Sequence, residues 1–460
     1  MTGQSVVVVP YWSMSDAINF DSNYSFLRQV IPEMSKLRPD WYWFILWPYG
    51  TAGADRWRYQ PDGFFTDRII PIRWSYDTSR SSSIISFDAM RLKEIDEGLA
   101  PTIYWIHQVE SAVFFQRGYR DTRSVLTLPA IVAQHHYTAH ASRESDATIS
   151  PSAYLQMIGL LVANRVVSNS KYAARMATET FTQYLNFNTM SDINKKTTVL
   201  PFGLVPDSLP KTREYPKPVM LYNHRFEDYK QPDITAKVLK LLKKKHQFEV
   251  WITQTQSQAV AGFPFDKSVG TPNRQEYLAN IAVPAINTMN SRHETFCISA
   301  LDSMMLGHLL VMPKALAFPE ILPPDYPYLF TSPTHQYAML DDILERWPKS
   351  YEEWSPRLRA HAKSQFRLAE YAKRYCEILE EEATRWVVQV PKKTTKDAVD
   401  KVYDAMKQSH KMTSVAEVTR AVHRVAGIQS QAFNARRTVR EFTSRGATLN
   451  YDKSILYLTV

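Results

Sequence analysis

The sequence predicts an α/β protein in which two successive α/β domains precede a small basic module of helices and a hairpin. Short, continuously apolar runs such as 5–10 (SVVVVP) and 41–47 (WYWFILW) alternate with helical stretches, the pattern of strands buried on both faces of a parallel sheet. The alternation breaks off in the polar, proline-rich stretch 207–218 (DSLPKTREYPKP) and then restarts. From 391 to 460 the composition changes. There 13 Lys and Arg face six Asp and Glu, which leaves +7 of the formal net charge of +9 in the last 70 residues.

Taken in order, the first domain (1–207) has strands at 5–10, 41–47, 102–106 (TIYWI), 130–133 (AIVA), 165–168 (RVVS) and 198–201 (TVLP), with helices at 22–37 and 171–184. This is a repeated βα unit. The second domain (216–388) opens with the strand 218–222 (PVMLY) and continues with strands 248–253, 285–289 and 308–312. Helices are expected at 233–245, 274–281 and 293–307, and 354–386 reads as two amphipathic helices packing back on the body. Two such domains in series create a cleft between the C-terminal edges of their sheets, where α/β folds bind ligands.

In the last segment (391–460), helices are expected at 396–407 and 414–425, the second started by a capping box of Ser414 and Glu417. A tight turn, Ala426-Gly427-Ile428, leads to a third helix, 430–443, carrying Arg436, Arg437 and Arg440. A hairpin of 447–451 and 454–459 turns at Asp452-Lys453. This order is that of a winged helix-turn-helix, in which the third helix enters the major groove and the hairpin touches the backbone. Arg436, Arg437, Arg440 and Lys453 are the candidate DNA-binding residues, and a polyanionic partner suits the charge. The alternative is a small helical cap used for packing or dimerisation.

Composition excludes several classes. A hydrophobic content of 44% over 460 residues is ample for cored domains and argues against disorder. Two cysteines, Cys297 and Cys376, cannot form a disulfide framework. The start MTGQSVVVVPYW lacks the features of a secretion signal, and no stretch reaches the ~20 apolar residues of a membrane span. A cytoplasmic monomer with no membrane association is expected.

Two features carry chemistry. After the strand PVMLY, the loop holds Arg225 and Lys230, a planar fork and a mobile point charge able to grip a diphosphate from two sides. Further on, HETFCISALDSMMLG (293–307) begins a helix whose N-terminal amides can receive an anion. Glu294 stands at its mouth and Asp302 eight residues later, about 12 Å along one helix face. Carboxylates at that separation can accept hydrogen bonds from a sugar ring and a ribose. Taken singly, the cations read more readily as loop surface, and the acids as N-terminal helix charge and a surface carboxylate.

In combination these segments resemble the retaining glycosyltransferases of the two-Rossmann, GT-B type. Arg225 and Lys230 are similar to that family's GR…K loop, and 293–307 to its E-x7-E helix, with Asp302 in place of the second Glu and Gly307 as the small closing residue. The stretch 316–322 (LAFPEIL) resembles the GG-x-P-E-I loop with Pro319 and Glu320 in place, Asn169-Ser170-Lys171-Tyr172 the N/A-S-E/K-Y step, and 201–207 (PFGLVPD) the P-N-G-V-D segment. The matches keep their order over roughly residues 160–385. Glycines usual after the first N-terminal strand, after the second C-terminal strand and before Pro319 are absent.

The resemblance implies a UDP- or GDP-linked sugar donor held by Arg225, Lys230, Glu294, Thr295, Phe296, Asp302 and Glu320, with no metal requirement. Catalysis would rest on Arg225, Lys230 and Glu294, and on His135 or His136, which follow AIVA as the family's sugar-contacting His follows its strand; His107 is a second candidate. The segment LYNHRFEDYKQPD is similar to a largely virus-encoded branch that glycosylates 5-hydroxymethylpyrimidines in double-stranded DNA, and the expected partner is such DNA. A base glycosylated within duplex must leave the stack. Two alternatives stand: glycosylation of a tRNA nucleoside of the queuosine kind, and a nucleic-acid-binding regulator on a degenerate transferase scaffold.

Overall fold

The computed structural model describes residues 4–10, 22–48, 63–74, 95, 103–107, 109–112, 123–128, 151–182, 184–254, 262–271, 273–384, 392–409, 412–426, 435–452 and 455–459. In the first half, β1 (Ser5–Val9), β2 (Tyr42–Pro48), β3 (Ile69–Trp74), β4 (Ile103–Ile106), β5 (Arg123–Leu128), β6 (Arg165–Ser168) and β7 (Thr197–Val199) form one sheet in the order β3-β2-β1-β4-β5-β6-β7. Every pairing in it is parallel. The helices α1 (Ser22–Leu37), α2 (Pro151–Val162), α3 (Lys171–Glu179) and α4 (Phe187–Lys195) belong to this half. The apolar runs form strands because both faces are covered: Val6, Val7, Val8, Trp43, Ile45, Tyr104 and Trp105 are fully buried.

The strand β3 went unpredicted, since IIPIRW carries a proline and an arginine that break the apolar run. The strand beside β4 is Arg123–Leu128, and the expected strand at 130–133 lies outside the described residues.

The second half repeats the plan. Strands β8 (Val219–Tyr222), β9 (Glu249–Ile252), β10 (Lys267–Ser268), β11 (Ala285–Thr288), β12 (Leu309–Pro313) and β13 (Leu329–Phe330) pair in parallel in the order β10-β9-β8-β11-β12-β13. Helices α5 (Pro232–Leu242), α6 (Arg274–Ile281), α7 (Ile298–Met305), the short α8 (Phe318–Ile321) and α9 (Pro333–Glu345) intervene. Both sheets thus have the doubly wound order whose direction reverses between the first and fourth strands, and a crevice opens at that reversal.

Two long helices follow, α10 (Lys349–Gln365) and α11 (Leu368–Thr384). At their junction the chain returns to the first half. Val205 N–H donates to Phe366 O (2.9 Å) and Leu368 N–H to Val205 O (3.0 Å). Gly203 permits this approach, because a Cβ there would collide with the Arg367 carbonyl and Tyr371. The helix α11 then packs on α1 and the first sheet, with Tyr375 4.8 Å from Trp105, Arg38 2.8 Å from Glu380 and Arg165 3.3 Å from Glu381. The last helix of the expected second domain therefore belongs structurally to the first.

The C-terminal module consists of α12 (Lys392–Ser409), β14 (Thr413–Ser414), α13 (Val415–Ala426), α14 (Ala435–Thr443), β15 (Thr448–Asp452) and β16 (Ile455–Thr459). Its antiparallel sheet has the order β14-β16-β15. The capping box forms as the sequence requires: Glu417 N–H donates to Ser414 Oγ (3.3 Å) and Ser414 N–H to Glu417 Oε2 (3.2 Å). Val415, Val418, Val422, Phe442 and Leu458 fill its core. Among the described residues no helix is long and apolar enough to cross a membrane.

Candidate functional site

The reversal point of the second sheet lies between β8 and β11, so the loops after these strands border its crevice. Beneath them is a buried polar network. Asn287, fully buried in β11, donates through Nδ2 to Asn223 Oδ1 and to Ser303 Oγ, both at 2.6 Å. Asn223 Nδ2 donates to Ser299 O (2.9 Å), on the first turn of α7. His224 spans the gap, with Nε2 3.2 Å from Asn287 Oδ1 and Nδ1 2.8 Å from Ser299 Oγ. Burial pushes His224 down to about 3, so the ring is neutral. A carbonyl oxygen can only accept, so Nε2 carries the proton and Nδ1 accepts from the Ser299 hydroxyl.

Lys230 ends a single 3-10 turn, Asp228–Lys230, and is buried with its ammonium against Glu294 Oε1. Burial pulls this ammonium down to about 8 although a carboxylate lies beside it. Arg225 has the opposite setting. Its side chain is 59% exposed and rests on Glu227 (2.9 Å) and the Tyr229 hydroxyl (3.3 Å). The cationic pair expected from the sequence therefore splits into a buried lysine paired with Glu294 and an exposed arginine at the rim paired with Glu227.

The helix expected at 293–307 is shorter, and this corrects the one-face relation of its acids. Cys297 has φ 69, a left-handed conformation, and α7 begins at Ile298. Glu294 lies in the preceding loop, so the spacing of about 12 Å along a helix does not apply to it. The loop is held by Arg292 N–H donating to Tyr229 O (2.8 Å) and by Phe296, which packs inward on Phe202 (5.3 Å) and Phe366 (5.7 Å). The Phe296 ring is 2% exposed, so of the expected donor contacts at this residue only its backbone is available. Gly307 closes α7 as expected: at φ 78 it donates to Met304 O (2.9 Å) while His308 N–H donates to Ser303 O (2.9 Å), a Schellman motif.

Asp302 is buried on α7 and fully engaged. Arg274, the first residue of α6, donates from Nη1 to Oδ2 (2.7 Å) and from Nη2 to Oδ1 (2.5 Å). The expected Thr295 and Glu320 join the two halves. Ser170 Oγ donates to Thr295 O (2.6 Å), and Asn169 Nδ2 to Thr295 Oγ1 (3.2 Å). Glu320 accepts the backbone N–H groups of Lys171 (2.7 Å) and Tyr172 (2.6 Å), capping the first turn of α3 from the other half. The segment Asn169–Tyr172 is thus clamped by the loop before α7 and by the short helix α8.

On the first-half side, His135 and His136 lie outside the described residues. His107, just past β4, is buried between Phe26 and Trp105, and burial pushes it down to about 3. In the C-terminal module, Arg440 is 57% exposed on α14, whereas Arg437 lies over Glu441 at 3.9 Å. Glu441 is also 3.5 Å from Arg440, which dilutes the positive charge of that helix. Lys453 and the side chain of Arg436 lie outside the described residues.

The sequence reading missed Arg274 and the Asn223–Asn287–His224 network. The available signals were weak: an asparagine or histidine at a strand end, and a second acid one methylene shorter than the family's. Among the described residues one group has metal-like spacing, His246, Asp341 and Glu345, but the Lys245 ammonium lies 2.8 Å from Asp341 and 2.5 Å from Glu345. That cluster is a surface ion-pair network.

No protein-family model matches the chain. Among solved structures it is similar to sucrose-phosphate synthase from Thermosynechococcus elongatus, with TM-score 0.64 and 12% identity over 82% of this chain and 98% of that one. It is also similar to a UDP-forming trehalose-phosphate synthase from Burkholderia xenovorans (0.57, 12%, 83% and 100%) and to Anabaena HepE in complex with UDP and glucose (0.56, 12%, 82% and 100%). These neighbours are GT-B glycosyltransferases, and the likeness shows that the fold is the two-Rossmann GT-B fold.

Proposed function

We propose that the protein is a retaining glycosyltransferase that moves a sugar from a nucleoside diphosphate to a hydroxymethylated pyrimidine in DNA. The observation that carries the transferase reading is the buried Lys230–Glu294 pair at the reversal point of the second sheet, on a prebuilt polar network. A diphosphate entering the crevice offers Lys230 a stronger anion than a single carboxylate. Exchange of partners frees Glu294 to accept hydrogen bonds from sugar hydroxyls. As the anomeric C–O bond breaks, negative charge grows on the leaving diphosphate. Lys230 and Arg225 meet that charge without reorganising water. The new bond forms on the same face of the sugar as the C–O bond to the diphosphate breaks, and the acceptor hydroxyl passes its proton to the departing phosphate oxygen. UDP- and GDP-linked donors are both compatible with this chemistry, and no step calls for a metal.

The DNA part of the proposal rests on the C-terminal module. What supports it is an order of helix, strand, helix, helix and hairpin, with the sheet order β14-β16-β15, that resembles a winged helix, and the +7 of the chain's charge that lies there. Among the described residues, Arg440 is an exposed cation on the third helix. Incubation with hydroxymethylated and plain DNA, RNA and UDP- or GDP-sugars, followed by digestion to nucleosides and mass spectrometry, tests the whole. Sugar on hydroxymethylated DNA alone is the expected result. Sugar on RNA means a tRNA-type acceptor, and sugar on neither polymer sinks the nucleic-acid reading.

A further inference from the structure

We propose that Arg274, positioned by Asp302, is the group that reads the nucleoside of the donor, so that this position of the site donates hydrogen bonds where the family's second acid accepts them. The inference rests on the transferase reading above. Resemblance assigns Asp302 to the ribose, yet both its oxygens are taken by Arg274 and its side chain is 5% exposed, while Arg274 is 24% exposed. A ligand reaching this point meets the guanidinium before the carboxylate.

Arg274 also has capacity to spare. Its pairing with Asp302 uses one proton on each terminal nitrogen, which leaves Nε–H and the outer protons unspent. Nε is buried and has no hydrogen-bond partner among the described residues. A buried donor without an acceptor is destabilising, and a bound ligand that supplies the acceptor removes that cost. The pair lies at the carboxyl edge of the second sheet, tied to the crevice network: Arg274 lies over the Tyr277 ring (5.7 Å), and the Tyr277 hydroxyl accepts from Asn223 Nδ2 (3.3 Å).

Chemistry restricts what the free edge can take. A guanidinium only donates, so the matching group is an acceptor on the nucleoside, and a planar fork suits two adjacent acceptors. Guanine presents such a pair in O6 and N7. Uracil presents single carbonyls beside a donor N–H. Asp302 is then a positioning residue that holds the fork in place, and its one-methylene shortening from Glu keeps it beside Arg274.

Calorimetric titration of the full-length protein with GDP, UDP and inorganic pyrophosphate separates the possibilities. Arg274→Gln is expected to weaken GDP binding by about 10–100-fold, within the range for a lost bidentate contact, while pyrophosphate affinity stays within twofold. Asp302→Asn is expected to weaken GDP in the same direction by a smaller factor, and Arg274→Lys should fail to restore it. Unchanged pyrophosphate binding also reports that each variant is folded; if Arg274→Gln does not fold, Arg274→Lys carries the comparison. UDP losing as much affinity as GDP keeps Arg274 as the nucleoside reader but overturns the guanine preference. Equal losses for GDP and pyrophosphate, or no loss for either, overturn the inference. A wild-type protein that binds pyrophosphate but neither nucleotide overturns the transferase reading instead.

Discussion

The two halves of the molecule share one strand order and differ at the point where that order reverses. In the second half, Asn223 and His224 after β8, Asn287 in β11 and Ser299 and Ser303 on α7 form a connected polar set, beside which stand two ion pairs, Lys230 with Glu294 and Arg274 with Asp302. In the first half, the residue after β4 is His107, enclosed by Phe26 and Trp105, and its Nε2 has no hydrogen-bond partner among the described residues. Topology alone makes a crevice in both places. Among the described residues they differ in extent: beyond His107 the first half buries the pair of Gln156 Nε2 donating to Glu110 Oε1 (2.8 Å). The second half carries a network with two ion pairs beside it, and buried polar groups persist only when each is paired. A satisfied network under a crevice points to a ligand that needs fixed donors and acceptors.

The strongest way to break this comparison is to remove the charge beside the network. Lys230→Ala should lower the transfer rate by about 10²–10³-fold, the range for losing one preorganised group at a developing anion. Arg225→Ala, at the exposed rim, should cost about tenfold in turnover and little in DNA affinity. Release of nucleoside diphosphate in a coupled assay measures both. A loss for Arg225→Ala as large as that for Lys230→Ala would mean that burial does not rank the two cations.

The network itself is tested by stability. Asn287→Ala leaves Asn223 Oδ1 without its donor and His224 Nε2 without its acceptor in a buried place and should cost about 1–3 kcal/mol in denaturant titration. A cost below about 0.5 kcal/mol, the level of an ordinary surface change, would mean that the network is not rigid.

Much of this was legible in the sequence, and the failures have physical reasons. Continuous apolar runs marked β1, β2, β4, β6, β8 and β11, since strands buried on both faces need nothing else. Ser414 with Glu417, and Gly307 after α7, were readable because caps use specific side chains at fixed offsets. The start of α7 was not readable. Phe296 continues the apolar periodicity of the helix, yet its ring is turned inward by contacts with Phe202 and Phe366, which are distant in sequence, and Cys297 adopts a positive φ there. The Arg274–Asp302 pair joins residues 28 positions apart, and periodicity carries no information about such a pairing. The clamp of Asn169 and Ser170 on Thr295 was hidden for the same reason.

Proton linkage sharpens the comparison further. Lys230 sits at about 8 in the folded chain, below the ordinary lysine value of about 10.5, so the unfolded chain binds more protons between those two values. Lys230 therefore weakens the free protein below pH 8, and that penalty is relieved as pH rises from about 8 to about 10.5. Donor binding needs the ammonium and moves the other way. Apparent donor KM should rise above pH 8, by up to about tenfold per unit, while the melting temperature contains a component that rises. In Lys230→Arg both components should vanish, because a guanidinium stays charged. Melts and initial rates from pH 7 to 10 check this, and a donor KM flat to pH 10 would exclude Lys230 as the titrating ligand of the diphosphate.

The smallest effect is expected at His107, in its aromatic setting after β4. His107→Phe replaces a neutral, poorly satisfied imidazole with a ring of similar size among Phe26 and Trp105, so stability at pH 7 should change by less than about 1 kcal/mol. The acid side should respond more clearly. His107 sits at about 3 when folded and near 6.5 when unfolded, so the unfolded chain binds the extra proton between those values and the wild type loses stability as pH falls through that window. His107→Phe lacks that contribution and should melt at a higher temperature than wild type near pH 5, with the gap closing towards pH 7. His224 and His308 share the burial-driven depression and remain in both proteins, so the difference isolates His107. If the substitution instead removes sugar transfer while leaving the acid-side melts unchanged, His107 contacts substrate, and the first crevice is as functional as the second.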